Sequence, residues 1–157
     1  ANVLFFNGGM GATGSGDGQS TYAWPSNVSN VPVELIERNA PLLIRRKEMR
    51  ADSGGAGKYR GGLGQEIVFE VTSKTPIGMI FMAERCRFAA PGVAGGGAGA
   101  LGELTIDGHA IDHRQNVVLH KGQVVRLATP GGGGFGALEE RDPSAVAEDR
   151  KLGLTRG

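Results

Sequence analysis

Three arginines beside glycine-rich stretches are the residues of this sequence best suited to bind a small ligand. Arg60 lies between two glycine-rich runs, and Arg85 and Arg87 lie shortly before a third. A guanidinium held beside accessible main chain suits a carboxylate, a carbonyl or a phosphate, because it donates several hydrogen bonds in one plane. We therefore predict a cleft shared by these arginines and lined by glycine loops, with the substrate-binding residues Arg60, Arg85, Arg87, Gly9, Gly11, Gly132 and Gly133.

A structural ion pair is the alternative role for each of these arginines, with Asp52, Glu66 or Glu84 as the candidate partners. Cys86 lies between two arginines that would lower the pKa of its thiol and favour the thiolate. In a strand, however, it would point to the opposite face from both, and a single cysteine is usually a small hydrophobic residue. The spacing of the remaining polar residues assigns no catalytic residue.

The histidines and the first glycine run match known sites only weakly. His109, His113 and His120 fall in turn-flanking positions from which they need not converge, so we expect no metal site in this chain. Gly9 and Gly11 begin a GxGxxG pattern after an apolar run. In dinucleotide-binding proteins a helix follows that pattern and holds the pyrophosphate, whereas here Ser-Gly-Asp-Gly follows. We therefore expect no nucleotide at this position.

Four clusters, at residues 8–18, 54–64, 92–102 and 131–136, hold most of the 28 glycines of the chain. Glycine loses more conformational freedom on folding than other residues, so such clustering is unfavourable. It is tolerated where the main chain takes positive φ, or where a ligand or a second main chain comes very close. The segments between the clusters are rich in Val, Ile, Leu and Phe. The pattern predicts close-approach loops on a β scaffold.

The apolar runs between glycine and proline turns predict a mainly β fold (α+β with few helices), in which antiparallel strands form a sandwich or a barrel. Asp-Gly and Lys-Gly turns predict two hairpins. Asp142-Pro143 predicts the start of a short C-terminal helix. The predicted helices are Val33–Arg38 and Ser144–Leu152, and the predicted strands are Val3–Phe6, Leu42–Met49, Glu66–Val71, Gly78–Arg85, Leu104–Ile106, Ala110–Ile111, Asn116–Leu119 and Gln123–Leu127.

The length and charge of the chain limit the number of domains and the kinds of binding partner that it can have. The 157 residues suit a single domain or segment (1–157), and a net charge of +1 gives no basic surface for nucleic acid or membrane. A single cysteine fits a reducing cytoplasm.

Because the chain lacks an initial methionine and ends soon after a helix-like segment, we expect a piece of a longer polypeptide. Two strands that are apolar on both faces, Val3–Phe6 and Gly78–Met82, predict cover by another polypeptide.

An ordered set of motifs covers essentially the whole sequence and resembles the hydantoinase B/oxoprolinase family. The segment Asp52–Gly64, DSGGAGKYRGGLG, is the most specific of them. The others are Asn7–Ala12, Asp17–Gly18, Pro25–Glu34, Glu84–Phe88 with Pro91–Gly92 and Gly95–Gly96, Thr129–Gly136 and Arg141–Pro143.

The resemblance implies the C-terminal portion of a longer subunit. Family members open cyclic amides such as hydantoins or 5-oxoproline with ATP, or carboxylate ketones. The resemblance further implies a hydantoinase A-type partner of actin-like fold that binds ATP with Mg. It also implies a divalent metal held by the N-terminal part of the subunit, outside this chain. We expect part of an amide-hydrolysing subunit, inactive by itself, whose partners are that N-terminal part, the ATP-handling subunit and a small cyclic amide. The alternatives are a ketone carboxylase subunit and a non-catalytic interface module.

Overall fold

The computed structural model describes residues 2–23 and 31–156, so most of the Pro25–Glu34 motif lies outside the described residues. The predicted mainly β fold with antiparallel strands and a short C-terminal helix is confirmed. In chain order the elements are α1 (Val33–Asn39), β1 (Leu42–Met49), β2 (Gln65–Val71), β3 (Ile77–Ile80), β4 (Glu103–Ile106), β5 (His109–Ala110), β6 (Asn116–Leu119), β7 (Val124–Ala128), a 3-10 turn (Leu138–Glu140) and α2 (Pro143–Lys151).

Five strands form an open antiparallel sheet in the order β1-β2-β7-β4-β5. Along β2 the side chains alternate between fully and partly buried, as the period of two in a strand requires. Ile67, Phe69 and Val71 point inward and form the centre of the hydrophobic core. Because β1 and β5 are the two edges and do not pair, the sheet is not closed into the barrel that the sequence also allowed.

A two-stranded antiparallel ribbon of β3 and β6 packs against this core. Met79 and Val117 are opposite each other in the ribbon and contact the core cluster, which also contains the fully buried Leu119 and Val125. Sheet and ribbon therefore enclose one core between two layers.

Two predicted strands differ from the structure because a strand needs a partner as well as an apolar run. Residues Val3–Phe6 form no strand, although Leu4 and Phe6 pack against the core. The predicted strand Gly78–Arg85 ends at Ile80, where its last partner Asn116 begins β6.

The two predicted hairpin turns have different outcomes. Asp107 and Gly108 both have positive φ and join β4 to β5 as a tight hairpin, as predicted. The hairpin predicted at Lys121–Gly122 is wrong, because β6 pairs with β3 whereas β7 pairs with β2 and β4. This turn instead carries the chain from the ribbon to the sheet.

The four glycine clusters pack against one another where β2 begins and β7 ends, and we call them together the glycine layer. The cluster 131–136 contacts the other three through main-chain hydrogen bonds. The amide of Gly132 donates to the carbonyl of Gly62 (2.9 Å), the amide of Gly134 to that of Gly97 (2.9 Å), and the amide of Ala12 to that of Gly133 (2.8 Å). Polar main chain is thus buried here with its hydrogen bonds made internally.

Close approach of a second main chain is the reason for most of these glycines. A Cβ on Gly132 would lie 1.9 Å from the carbonyl oxygen of Met10, and a Cβ on Gly9 would lie 1.8 Å from that of Gly62. Among the glycines of the glycine layer only Gly95 and Gly136 have positive φ. Each cluster therefore approaches another cluster so closely that no side chain fits between them.

Helix α2 begins as the sequence predicts. The Asp142 carboxylate accepts a hydrogen bond from the Ser144 amide, and Pro143 occupies the first turn. None of the helices in residues 2–23 and 31–156 has the length and apolar character to cross a membrane.

Candidate functional site

Arg60 extends from the glycine layer to helix α2, and only 8% of the residue is exposed. Its Nε and Nη2 donate to the two carboxylate oxygens of Asp149, at 3.1 and 3.2 Å, and its Nη1 donates to the carbonyl of Gly61 at 2.8 Å. The guanidinium is thus engaged by groups of its own chain. The ion pair has a partner 89 residues along the chain and not the predicted candidates Asp52, Glu66 or Glu84.

Arg141 continues this ion pair into a chain of four alternating charges. Its Nη2 donates to Asp149 at 2.7 Å, and its Nη1 and Nη2 donate to the two carboxylate oxygens of Asp17 at 2.9 Å each. The Asp17 carboxylate also accepts from the Arg60 amide at 2.7 Å. We call Asp17, Arg60, Arg141 and Asp149 the charge chain. It connects the first two glycine clusters with α2.

The pKa values of Asp17 and Arg141, which form one end of the charge chain, reflect these contacts. Burial acts to raise the pKa of Asp17, but hydrogen bonds from Arg141 and the Arg60 amide outweigh it, so the net pKa lies below its usual value. The hydrogen bond to Asp17 raises the pKa of Arg141, which burial only partly opposes. Both groups are therefore charged throughout the physiological range.

Sequence reasoning missed Asp149, although a signal for it exists. Ala145, Val146 and Asp149 lie on one helical face because residues three and four apart are neighbours on a helix. The two apolar residues are partly buried, and Asp149 is the buried residue of α2. An acidic residue on an apolar face predicts a buried cationic partner, since an isolated buried charge is strongly unfavourable.

The four glycines predicted to bind substrate differ in accessibility. Gly132 and Gly133 are buried within the glycine layer, Gly9 is partly buried and Gly11 is exposed. A Cβ on Gly133 would lie 2.0 Å from the carbonyl oxygen of Pro91. Their close approach is to main chain of the same protein, and their role toward a substrate stays a prediction.

Arg85 and Arg87 have a different environment from Arg60. Arg85 has a positive φ of 55°, which is unusual for a residue with a side chain, and its Nη1 donates to the Ala89 carbonyl at 3.3 Å. Arg87 is 59% exposed in its side chain and lies 4.0 Å from the Asp112 carboxylate. The expected cleft shared by all three arginines is therefore not formed, because Arg60 is buried in the charge chain.

Arg87 does line an open cleft of about 440 Å³ together with Cys86, Thr105, Asp112 and His113. Burial, Glu84 and Asp112 raise the pKa of the Cys86 thiol, so the thiol form is favoured and not the nucleophilic thiolate. His113 Nδ1 lies 3.6 Å from Asp112. In the described ranges no group of three or more His, Cys, Asp and Glu is arranged to hold a metal ion.

A second set of ion pairs covers the outer face of the sheet. Glu66 pairs with Arg46 and Arg126 at 2.5 Å each, and Glu103 pairs with Arg126 at 2.8 Å and with Arg50. The hydrogen bond from Arg126 is the main cause that lowers the pKa of Glu103. Since these guanidiniums already meet carboxylates, this face has the character of a solvated polar surface.

A sequence-profile match over most of the chain identifies its family. The sequence profile of the hydantoinase B/oxoprolinase family matches residues 1–138, which include all four segments of the glycine layer. The chain belongs to this family. The resemblance carried by its glycine-rich motifs is therefore confirmed.

Relatives of this hydantoinase B family chain are found as sequences and as structures. An uncharacterized protein of Methanocaldococcus jannaschii is 41% identical over 126 residues, covering 78% of this chain and 22% of that protein. Caprolactamase subunit beta of Pseudomonas jessenii is 30% identical over 159 residues, covering 90% of this chain and 27% of the subunit. The crystal structure of ATP-dependent caprolactamase from the same organism has a TM-score of 0.70 at 28% identity and covers 94% of this chain.

A structure of acetone carboxylase has a TM-score of 0.77 at 24% identity and covers 94% of this chain and 25% of that one. This likeness shows a shared fold. The hydantoinase B family chain spans about a quarter of the length of these relatives.

Proposed function

We propose that this chain is the C-terminal part of the amide-hydrolysing subunit of an ATP-dependent enzyme that opens cyclic amides of the hydantoin or 5-oxoproline kind. The match to the hydantoinase B/oxoprolinase family across residues 1–138 is the observation that carries the proposal. The similarity to caprolactamase subunit beta supports it, since caprolactam is also a cyclic amide.

The proposed assembly has the components that the family implies. The N-terminal part of the subunit supplies a divalent metal, and a hydantoinase A-type subunit binds ATP with Mg. The related caprolactamase and hydantoinase chains are named as subunits, which supports a partner subunit. We place the assembly in the cytoplasm, consistent with the single cysteine.

Within this assembly the arginines have two different tasks. Arg87 is exposed on an open cleft and is free to turn toward a carbonyl or carboxylate of the substrate. Arg60, with its guanidinium bound to Asp149 and Gly61, acts as a positioning residue that holds the glycine layer against α2. For the chain by itself, we expect no activity without the rest of its subunit, because it spans 27% of the related caprolactamase subunit beta.

The test is an assay of the assembled enzyme with hydantoin, 5-oxoproline and caprolactam, measuring ring-opened product and ADP together. We expect ATP-dependent opening of at least one of them by the assembly and none by this chain alone. ATP-dependent carboxylation of acetone with bicarbonate, without ring opening, would instead identify a ketone carboxylase.

The arginine assignment has a matched control within the chain. Arg87→Ala removes the proposed substrate contact, and Arg114→Ala removes an arginine of similar exposure (57%) that also lies beside Asp112. We expect Arg87→Ala to raise KM or lower kcat/KM, and Arg114→Ala to leave both unchanged. Equal kinetics for the two variants would remove Arg87 from the site.

A further inference from the structure

The outer face of the β3–β6 ribbon carries exposed apolar side chains beside the polar Asn116, which lies opposite Ile80. Exposure alternates from Met79 to Met82, and Met79 and Phe81 point toward the core. Ile80, the last residue of β3, is 70% exposed, and Met82, two residues beyond the strand, is 97% exposed. Val118 of β6 is 63% exposed and lies opposite Gly78 of β3. It is therefore a diagonal neighbour of Ile80 on the same face of the ribbon. We call Ile80, Met82 and Val118 the ribbon patch.

The ribbon has an open edge on each of its two strands. In the described part of the chain β3 and β6 pair only with each other, which leaves one edge of each strand open. Proteins usually guard such edges with charged residues, prolines or very short strands. The five-stranded sheet does so, since edge strand β1 contains RRKE and β5 has two residues. In the ribbon, Pro76 precedes β3 and each strand has four residues, but residues 75–83 and 116–119 contain no charged residue.

The outer face of the ribbon favours cover from outside the described chain. The inner face already packs against the core, whereas exposed apolar side chains beside open strand edges promote association. Cover by the rest of a hydantoinase B subunit is available in quantity, because this chain spans 27% of caprolactamase subunit beta. A strand from that portion would satisfy the open edge and bury the apolar face in one step.

We infer that the ribbon patch and the free edge of β3 form the docking surface for an apolar extended segment of the remaining part of the hydantoinase B subunit. The inference rests on the proposed function for the existence of that part, and it adds the place of contact and the chemistry of the contacting segment. A second copy of this chain is the competing occupant.

Methionine oxidation tests the inference because Met79 and Met82 belong to the same segment but point to opposite faces. In this chain alone, dilute hydrogen peroxide should oxidise the exposed Met82 several-fold faster than the partly buried Met79, as followed by mass spectrometry of peptides. In the complete subunit, the Met82 rate should fall to that of Met79. An unchanged ratio in the complete subunit would overturn the inference.

A double variant, Ile80→Thr with Val118→Thr, provides the second arm and keeps the β propensity of both strands. We expect it to restore fast oxidation of Met82 in the complete subunit while the melting temperature of this chain alone is unchanged. Leu152→Gln, a change at an exposed apolar residue beyond α2, is the control that should leave Met82 protected.

The oxidation measurement does not depend on activity, so its failure is distinguishable from failure of the proposed function. Protection of Met82 in an enzyme that opens no cyclic amide keeps the docking surface and rejects the activity. Protection that appears in this chain alone and rises with its concentration assigns the patch to a second copy and overturns the inference.

Discussion

Gly132→Ala is the sharpest perturbation that the glycine layer offers. The new Cβ would lie 1.9 Å from the carbonyl oxygen of Met10 and 2.2 Å from its carbonyl carbon, whereas real Cβ contacts essentially never fall below 3.0 Å. The two main chains must therefore separate by about 1 Å, and neither can yield by rotating a side chain. Gly132 also donates to Gly62 and accepts from the Gly55 amide, so both hydrogen bonds lengthen together.

The expected cost follows from these contacts. Overpacking of this kind costs about 2 kcal/mol, and weakening two buried hydrogen bonds costs about 1 kcal/mol each. The reduced freedom of alanine in the unfolded chain returns somewhat less than 1 kcal/mol. The net loss is about 3 kcal/mol, which for a chain of this size lowers the melting temperature by about 6–12 °C.

Thermal and urea unfolding followed by circular dichroism measure this loss. Gly16→Ala is the control, since its Cβ would meet nothing within 4 Å and its φ is not positive. We expect the control to melt within a few degrees of the unmodified chain and Gly132→Ala to show a lower urea midpoint at an unchanged slope. Equal stability of the two variants would refute the close-packed glycine layer.

Two further predictions concern the charge chain. Asp149→Asn leaves the buried Arg60 guanidinium without its counter-charge and should destabilise the chain by about 3 kcal/mol, measured by urea unfolding, whereas Glu139→Gln at an exposed site should have no effect. The pKa of Asp17 is lowered on folding, so the stability it contributes is present above its ordinary value of 3.8 and is lost as the pH falls through the folded value. Asp17→Asn should therefore flatten the decline of melting temperature in acid; a decline as steep as that of the unmodified chain would show that the pair with Arg141 does not form.

The sequence predicted elements whose signal is local. Strand β1 has the predicted bounds Leu42–Met49, and α2 begins at Asp142-Pro143 because the cap and the proline act within one turn. Residues Val3–Phe6 have the same apolar character but pair with no strand within residues 2–23 and 31–156. The turn at Lys121–Gly122 has hairpin chemistry, yet its flanking strands belong to different sheets. Pairing depends on distant segments, which a local pattern does not contain.

The candidate site could likewise be predicted from the sequence only in part. Clustered glycines predicted close approach, and the structure adds that the approaching group is another glycine cluster. The sequence also predicts that the arginines beside those clusters bind a ligand. The partner of Arg60, however, is Asp149, which lies on a helix near the C-terminal end of the chain. The sequence identifies the residue types of the site. Which of the three arginines is buried depends on tertiary packing.

The glycine layer also limits how this protein can vary. When a core substitution adds a side chain, a neighbouring side chain can usually be replaced by a smaller one to make room. At Gly9, Gly131 and Gly132 the neighbour is the main chain itself, and the main chain has no smaller replacement. Compensating second-site changes are thus unavailable inside the layer. Variation must therefore come from side chains at its margin, such as those of the loop that carries Arg85 and Arg87.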